Sequence, residues 1–341
     1  MVYTYYEVGR YIVEDEQQGN YRAEYGKAVL KELAERLTTQ FGKGWSMEQL
    51  QKYRFFYKTY SSKRISSTLS TKLQITGNQE DIDSLKSNYS IQKVADTPAL
   101  HPVFTLSWSH YVILMRIENP DERSFYEIEC AKQNWSVRQL QRQVASSLYE
   151  RLALSRDKAE VMRLAQEGQT IEKPTDILKN PLTLEFLGLR EEAAYTESKL
   201  EGAIISKMQQ FLLEMGKGFL FEARQKRFTF DEQHFFVDLV FYNRLLRCYV
   251  LIDLKTDSLS HQDLGQMQMY VNYFNRYVRL DDERPTIGIL LCKEKNDALV
   301  ELTLPDDANI YAQQYALYLP DKQLLQQKLK QWIDEEETKA E

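Results

Sequence analysis

At 341 residues the chain exceeds one typical domain, so two domains are the natural expectation. Its formal net charge of −6 argues against indiscriminate coating of nucleic acid but leaves room for a local basic cleft. Three widely spaced cysteines (Cys130, Cys248, Cys292) form no Cys-x-x-Cys pair, and four histidines (His101, His110, His234, His261) lack zinc-ligand spacing, which excludes a disulfide scaffold and disfavours a zinc site.

The first residues, Met1-Val2-Tyr3-Thr4-Tyr5-Tyr6-Glu7, lack the basic and apolar regions of a signal peptide and read as part of a helix. No apolar run approaches the roughly 18–20 residues needed to span a bilayer, so a cytoplasmic protein with no membrane partner is expected. Leu30, Leu33, Leu37 and Phe41 predict a helix that ends before Gly42-Lys43-Gly44. Ser46 and Gln49 have capping-box spacing for a second helix from about Met47 to Tyr60. This order fits a helix-turn-helix, although most such pairs in helical domains are only packing units.

From Gln49 to Gln79 the chain carries Lys52, Arg54, Lys58, Lys63, Arg64 and Lys72 with no acidic residue. Tyr53, Phe55, Phe56, Tyr57 and Tyr60 interleave with the first part. Basic side chains contact phosphates and aromatics stack on exposed bases, which makes Lys52, Arg54, Lys58, Lys63 and Arg64 candidate nucleic-acid contacts. Helical periodicity with aromatics inward and bases outward would give the same interleaving, and both readings stand. Ser61 to Leu100 is rich in Ser, Thr, Asn and Gln and reads as a long excursion with some helix or strand near Leu69 to Ile75. Val137, Leu140, Val144, Leu148 and Leu152 then predict one long helix running past Glu150. Pro174 and Pro181 punctuate the passage that follows. The expected organisation is a helical domain over 1–167, a connector over 168–196 with Leu182 to Leu189 docked, and a second domain over 197–341.

In that second domain Leu200, Ile204, Met208, Phe211 and Met215 mark a helix stopped by Gly216, with Glu201 at its start. Phe235 to Tyr242 and Tyr249 to Lys255 are apolar strand-like runs interrupted by Asp238, Asp253 and Lys255. If Asn243 to Cys248 make the connection, a symmetric hairpin sets Asp238 opposite Asp253, within cross-strand reach. Two carboxylates and an ammonium on an apolar sheet are costly unless a partner compensates them, and a hard divalent ion meets that need. Ser260 and Asp263 have capping-box spacing for a following helix, on which Gln266 and Tyr270 share a face. Thr286 to Cys292 and Ile310 to Leu319 read as further strands, before a last helix from Lys322.

Glu201 on a helix, Asp238 on a strand, Asp253-Leu254-Lys255 on the next, then Gln266-x-x-x-Tyr270 resemble a PD-(D/E)XK nuclease core of the RecB-related branch. Gly216-Lys217-Gly218-Phe219, Arg224-Gln225-Lys226-Arg227, Leu245-Leu246-Arg247-Cys248-Tyr249, Gly265-Gln266-Met267 and Ile287 to Lys293 narrow the resemblance to the bacterial YhcG-like family. The N-terminal part resembles the domain paired with those nucleases, through Gly9-Arg10, Phe41 to Ser46 and Leu106 to Tyr111. The resemblance implies a restriction-endonuclease-like α/β core behind a mostly helical domain, an α+β two-domain protein. It implies metal ligation by Glu201, Asp238 and Asp253, with Lys255 positioning the attacking water and Gln266 and Tyr270 completing the catalytic set. Asp253 stands where Glu is commoner in this motif.

The expected function is Mg2+-dependent hydrolysis of nucleic-acid phosphodiesters, with Mn2+ as a substitute ion and DNA favoured over RNA. The alternative is an inactive nuclease fold serving as a nucleic-acid-binding or protein-interaction scaffold. A homodimer or larger assembly is compatible with either.

Overall fold

Apolar spacing accounts for the first helices and for what they bury. The computed structural model describes residues 1–17, 23–75, 103–156, 158–190, 195–305 and 307–340. These divide into two compact units, 1–123 with 130–137, and 124–129 with 138–341.

The first unit is helical, with α1 (Val2–Gln17), α2 (Ala23–Phe41), α3 (Met47–Ile75) and α4 (Trp108–Leu114). Ile12, Leu30, Ala34, Leu50 and Tyr53 form one buried cluster, so α2, its Gly42–Gly44 turn and α3 act as a packing unit. Phe56 is ringed by Tyr6, Tyr60, Phe104, Trp108 and Tyr111, at centroid distances of 5.9, 5.0, 4.9, 5.3 and 5.2 Å. Tyr53, Phe56 and Tyr60 are 2, 0 and 4 % exposed, which makes these three aromatics core rather than stacking platforms. Gly9 lets α1 approach α3 closely, because a Cβ there would collide with the Tyr53 backbone carbonyl. Helix α3 outruns its predicted end at Tyr60. No glycine or proline interrupts 47–75, so the backbone ladder continues after the apolar stripe fades. The excursion predicted over Ser61 to Leu100 is helical as far as Ile75, and its remainder lies outside the described residues.

Helix α5 (Pro120–Gln133) is capped by Asn119, whose side chain accepts from the Asp121 and Glu122 amides. The single helix predicted from Val137 is in fact two, α6 (Val137–Ala145) and α7 (Leu148–Ala153), broken where Ser147 has φ 52°. Arg151 accounts for the break. Its guanidinium donates to the Ser146 carbonyl at 2.7 Å and hydroxyl at 3.0 Å, and reaches Glu214 at 2.5 Å. Glu214 also meets Arg142 at 2.7 Å and accepts from the Thr183 amide at 3.0 Å. Burial disfavours its charge, but Arg151, Lys179 and Arg142 outweigh that and hold its carboxyl down to about 2. This network binds Arg142 of α6 and Arg151 of α7 to Glu214 within the second compact unit. After α8 (Lys158–Glu167), the 168–196 stretch supplies a 3-10 turn, Pro174–Ile177, and the short strand β1 (Leu182–Thr183). That strand docks beside Tyr315 and Ala316, as Leu182 to Leu189 was expected to do.

Strands β2 (Phe219–Phe230), β3 (Gln233–Asn243), β4 (Cys248–Ser258), β5 (Ile287–Glu294) and β6 (Ile310–Ala316) follow. The sheet order is β1-β6-β5-β4-β3-β2, antiparallel from β2 to β4 and parallel from β4 to β1. One face is covered by α9 (Glu197–Ser206) and α10 (Met208–Met215), whose Leu200, Ile204, Phe211 and Met215 bury against Leu239, Phe241, Val250, Ile252 and Leu254. The apolar spacing predicts one helix here; the backbone leaves helical geometry at Lys207, φ −119°, and makes two. The other face carries α11 (His261–Tyr277), whose Leu264, Met267, Val271 and Phe274 pack on Val240, Leu251 and Leu290. Double coverage explains why Ile287 to Cys292 are all buried. Helices α12 (Asp297–Thr303) and α13 (Lys322–Ala340) flank β6. A helical first unit and a mixed α/β second unit are the expected α+β architecture.

Candidate active site

The β3–β4 ladder runs from Asn243↔Cys248 to Leu239↔Ile252. Extended by one step, that register would place Asp238 opposite Asp253, but the strands part there. The Asp238 carboxylate takes over from the backbone, with Oδ2 accepting from the Leu254 amide at 2.8 Å. A side chain thus satisfies a strand amide at the point where the sheet opens. The opening lets α9 reach the centre from one face and α11 from the other.

Asp253 is 3 % exposed. Lys255 Nζ pairs with its Oδ2 at 2.9 Å. Burial, then the charge of Asp238, push the Asp253 carboxyl up to about 7 against the pull of Lys255. Lys255 also sees Asp263 Oδ1 at 3.5 Å and Glu197 Oε1 at 3.7 Å. Burial disfavours its ammonium, but Asp253, Glu197 and Asp263 outweigh that and hold it above the ordinary lysine value. Lys255 is therefore a fixed cation at neutral pH, suited to holding phosphate or water and unsuited to taking a proton. Asp263 serves twice, since its Oδ2 accepts from the Ser260 amide at 2.8 Å and hydroxyl at 2.6 Å, closing the predicted capping box.

Glu201 is 4 % exposed. Its Oε1 pairs with Arg224 at 2.5 Å, and its Oε2 accepts from Gln225 Nε2 at 2.9 Å. The same Gln225 amide donates to Asp238 Oδ1 at 2.8 Å, joining Glu201 to Asp238. Gln225 does this from a left-handed backbone, φ 47°, a conformation costing about 1 kcal/mol for a non-glycine residue. On α11, Gln266 Nε2 donates to the Tyr270 hydroxyl, and Tyr270 stands edge-on to Phe228 at 5.5 Å.

Asp238, Asp253, Lys255, Gln266 and Tyr270 line one cavity of about 280 Å³, together with Glu197, Gln225, His234, Phe235 and Phe236. The predicted residues are thus brought together, with Glu201 linked in through Gln225. Glu197, Gln225 and Asp263 carried no predicted role at the site. Had Asp231 and Glu232 been read as the β2–β3 turn, register alone would have set Gln225 opposite Asp238. His261 is exposed at the start of α11.

Among the described residues no three His, Cys, Asp or Glu side chains form a preformed metal-ligand group. Arg224 and Gln225 engage Glu201, and Lys255 neighbours Asp253. The donor set nonetheless fits a hard divalent ion at Asp238 and Asp253. Two carboxylates sit together at the sheet opening, close enough that the charge of Asp238 raises the Asp253 carboxyl, and oxygen donors of this kind suit such an ion.

The predicted nucleic-acid contacts in the first unit are placed differently from one another. Lys52 pairs with Glu48 at 2.7 Å, Arg54 is half-buried and Lys58 is exposed. Lys63 and Arg64 lie on α3, and their side chains fall outside the described residues.

A parted antiparallel pair carrying Asp238 and Asp-x-Lys, with helices on both faces, is the core of a restriction-endonuclease-like protein. The family described as the YhcG PDDEXK nuclease domain matches residues 175–330, and the DUF1016 N-terminal domain matches residues 1–151. The Escherichia coli (strain K12) protein named "Putative nuclease YhcG" is 38% identical over 330 residues, spanning 96% of this chain and 86% of that protein. The chain therefore belongs to the YhcG family of PDDEXK nuclease-domain proteins. A crystal structure of a repair endonuclease from Pyrococcus abyssi is 16% identical, covering 39% of this chain and 50% of that one at a TM-score of 0.25. That likeness is too slight to bear on fold or function.

Proposed function

We propose that this protein is a divalent-metal-dependent nuclease that hydrolyses phosphodiester bonds, acting on DNA in preference to RNA, in the cytoplasm. The observation that carries the reading is the buried Asp253 carboxylate set beside Asp238 where β3 and β4 part, with the fixed ammonium of Lys255 against it. Asp238 and Asp253 would hold Mg2+, with Mn2+ as a substitute, and Glu201 would join them once Arg224 and Gln225 release it. When bound, such an ion polarises the scissile phosphate and offsets charge developing on it.

The chain's own residues supply the rest. The Leu254 and Gln225 amides fix the Asp238 carboxylate so that both its oxygens keep one orientation. Lys255, held by Asp253, Glu197 and Asp263, binds a phosphate oxygen or aligns the attacking water. The Gln266–Tyr270 pair lines the cavity and presents polar atoms to the same phosphate. An inactive nucleic-acid-binding or protein-interaction scaffold is the second reading, and the engagement of Glu201 by Arg224 and Gln225 favours it.

Cleavage of single-stranded, duplex, flapped and branched DNA, and of RNA, with Mg2+, Mn2+ or chelator, separates the two. The nuclease reading requires ion-dependent cleavage of at least one DNA substrate that Asp253→Ala abolishes. Binding without cleavage by the wild type would establish the scaffold instead.

A further inference from the structure

Beyond the point where β4 parts from β3, the β2–β3 hairpin continues as a two-stranded ribbon to its turn at Asp231 and Glu232. Residues directly opposed in an antiparallel pair project from the same face. Arg227 opposes Phe236 and Thr229 opposes His234, while Gln225 reaches across to Asp238 at 2.8 Å. One face of the ribbon thus runs outward from the carboxylates as Gln225–Asp238, then Arg227–Phe236, then Thr229–His234, with steps of about 6.6 Å along the strand. The outermost pair is fixed, because the Thr229 hydroxyl lies 2.9 Å from His234 Nδ1 and Arg227 Nη2 lies 3.2 Å from His234 Nε2.

The opposite face anchors the ribbon. Phe228 stacks on Phe235 at 5.4 Å and on Tyr273 of α11 at 4.1 Å, and it is 6 % exposed. Phe236, by contrast, is 46 % exposed and faces the same cavity as Asp238, Asp253 and Lys255. A rigid ribbon therefore presents a free aromatic face and a guanidinium one step from the carboxylates.

We propose that this face is the track for the substrate strand, with Phe236 stacking on an unpaired base beside the scissile phosphate and Arg227, braced by His234, holding a neighbouring phosphate. An aromatic plane can take only a base whose own face is uncovered, so the substrate is a nucleic-acid strand unpaired where it is cut: a single strand or the open arm of a junction. This rests on the nuclease reading and narrows its substrate class. Stacking uses the base and is common to DNA and RNA, whereas sugar choice belongs to other contacts.

The test measures fluorescence anisotropy of the full chain in chelator, so that no cleavage intervenes. Labelled single-stranded DNA, the matched RNA strand and the blunt DNA duplex serve as probes. Phe236→Ala should weaken whichever single strand the wild type holds by about fivefold or more, the lower end of one base–aromatic stack, and leave duplex affinity unchanged. Phe236→Trp should restore it, and Phe236→Leu, apolar but without a π-face, should behave like the alanine variant. Unchanged single-strand affinity in Phe236→Ala, an equal loss on duplex, or full affinity in Phe236→Leu would overturn the track while leaving the nuclease reading intact. If the wild type binds no probe and cleaves no substrate, the nuclease reading itself fails, and the track with it.

Discussion

Asp253→Asn should make the ion-free protein more stable at neutral pH while destroying its chemistry. In the fold the Asp253 carboxyl is pushed from 3.8 to about 7 by burial and by Asp238. At about 1.4 kcal/mol for each tenfold change in proton affinity, that displacement carries at most about 4 kcal/mol against the folded state. The sign follows from proton counting. Between pH 3.8 and about 7 the folded chain binds a proton at this site that the unfolded chain has released, so stability falls across that window as pH rises. An amide cannot ionise and escapes the penalty, although its imperfect hydrogen bonding returns about 1–2 kcal/mol of it. Without divalent ion, denaturant unfolding should therefore favour Asp253→Asn by about 2–3 kcal/mol near pH 7.5, and the order should reverse near pH 4, where the charge penalty is nearly gone and the hydrogen-bonding cost remains. Adding Mg2+ or Mn2+ should stabilise the wild type and leave the variant unmoved, because only the wild type retains the pair that binds. A variant no more stable than wild type at pH 7.5, or an advantage independent of pH, would refute the assignment of buried charge strain to Asp253.

Glu214→Gln should destabilise the second unit by about 3–5 kcal/mol in urea melts, since it leaves Arg151 buried without its carboxylate and takes from Arg142 one of two, Glu185 remaining at 3.0 Å. With the Glu214 carboxyl held down to about 2, the stability it contributes is complete above pH 4.5 and lost as pH falls from there toward 2. Gly9→Ala should lower the melting temperature of the first unit, at a cost of about 1–3 kcal/mol, because its Cβ meets the rigid Tyr53 carbonyl. Neutralising Lys52, Arg54, Lys58, Lys63 and Arg64 should flatten the salt dependence of nucleic-acid binding by roughly 0.7–0.9 in slope for each phosphate no longer neutralised, with cleavage recovering at saturating substrate. An unchanged slope would assign that helix to a solvated or protein-binding role.

Much of the second unit was legible because its sheet is covered on both faces, which makes strands read as unbroken apolar runs. The runs Phe235 to Tyr242 and Tyr249 to Lys255 fall within β3 and β4, and the turn between Asn243 and Cys248 sets the register that brings Asp238 toward Asp253. What stayed hidden depends on distant partners or on single backbone angles. Gln225 bridges Glu201 and Asp238 only from a left-handed conformation that no local pattern signals. The breaks at Ser147 and Lys207 interrupt apolar stripes that run on as if continuous, and the first is explained by Arg151 reaching Glu214, 63 positions away. Helix α3 past Tyr60 was missed for the converse reason, a helix whose stripe ends before its hydrogen bonds do. Within α3 the interleaved bases and aromatics were ambiguous by sequence, and burial resolved Tyr53, Phe56 and Tyr60 into the core.

The most direct measurement is cleavage of single-stranded and branched DNA by purified wild type, Asp238→Asn and Asp253→Asn, each with Mg2+ and with chelator. Mg2+-dependent cleavage by wild type alone is expected, with both variants inactive and still folded. Cleavage by either variant at the wild-type rate, or wild-type cleavage that persists in chelator, would contradict that expectation.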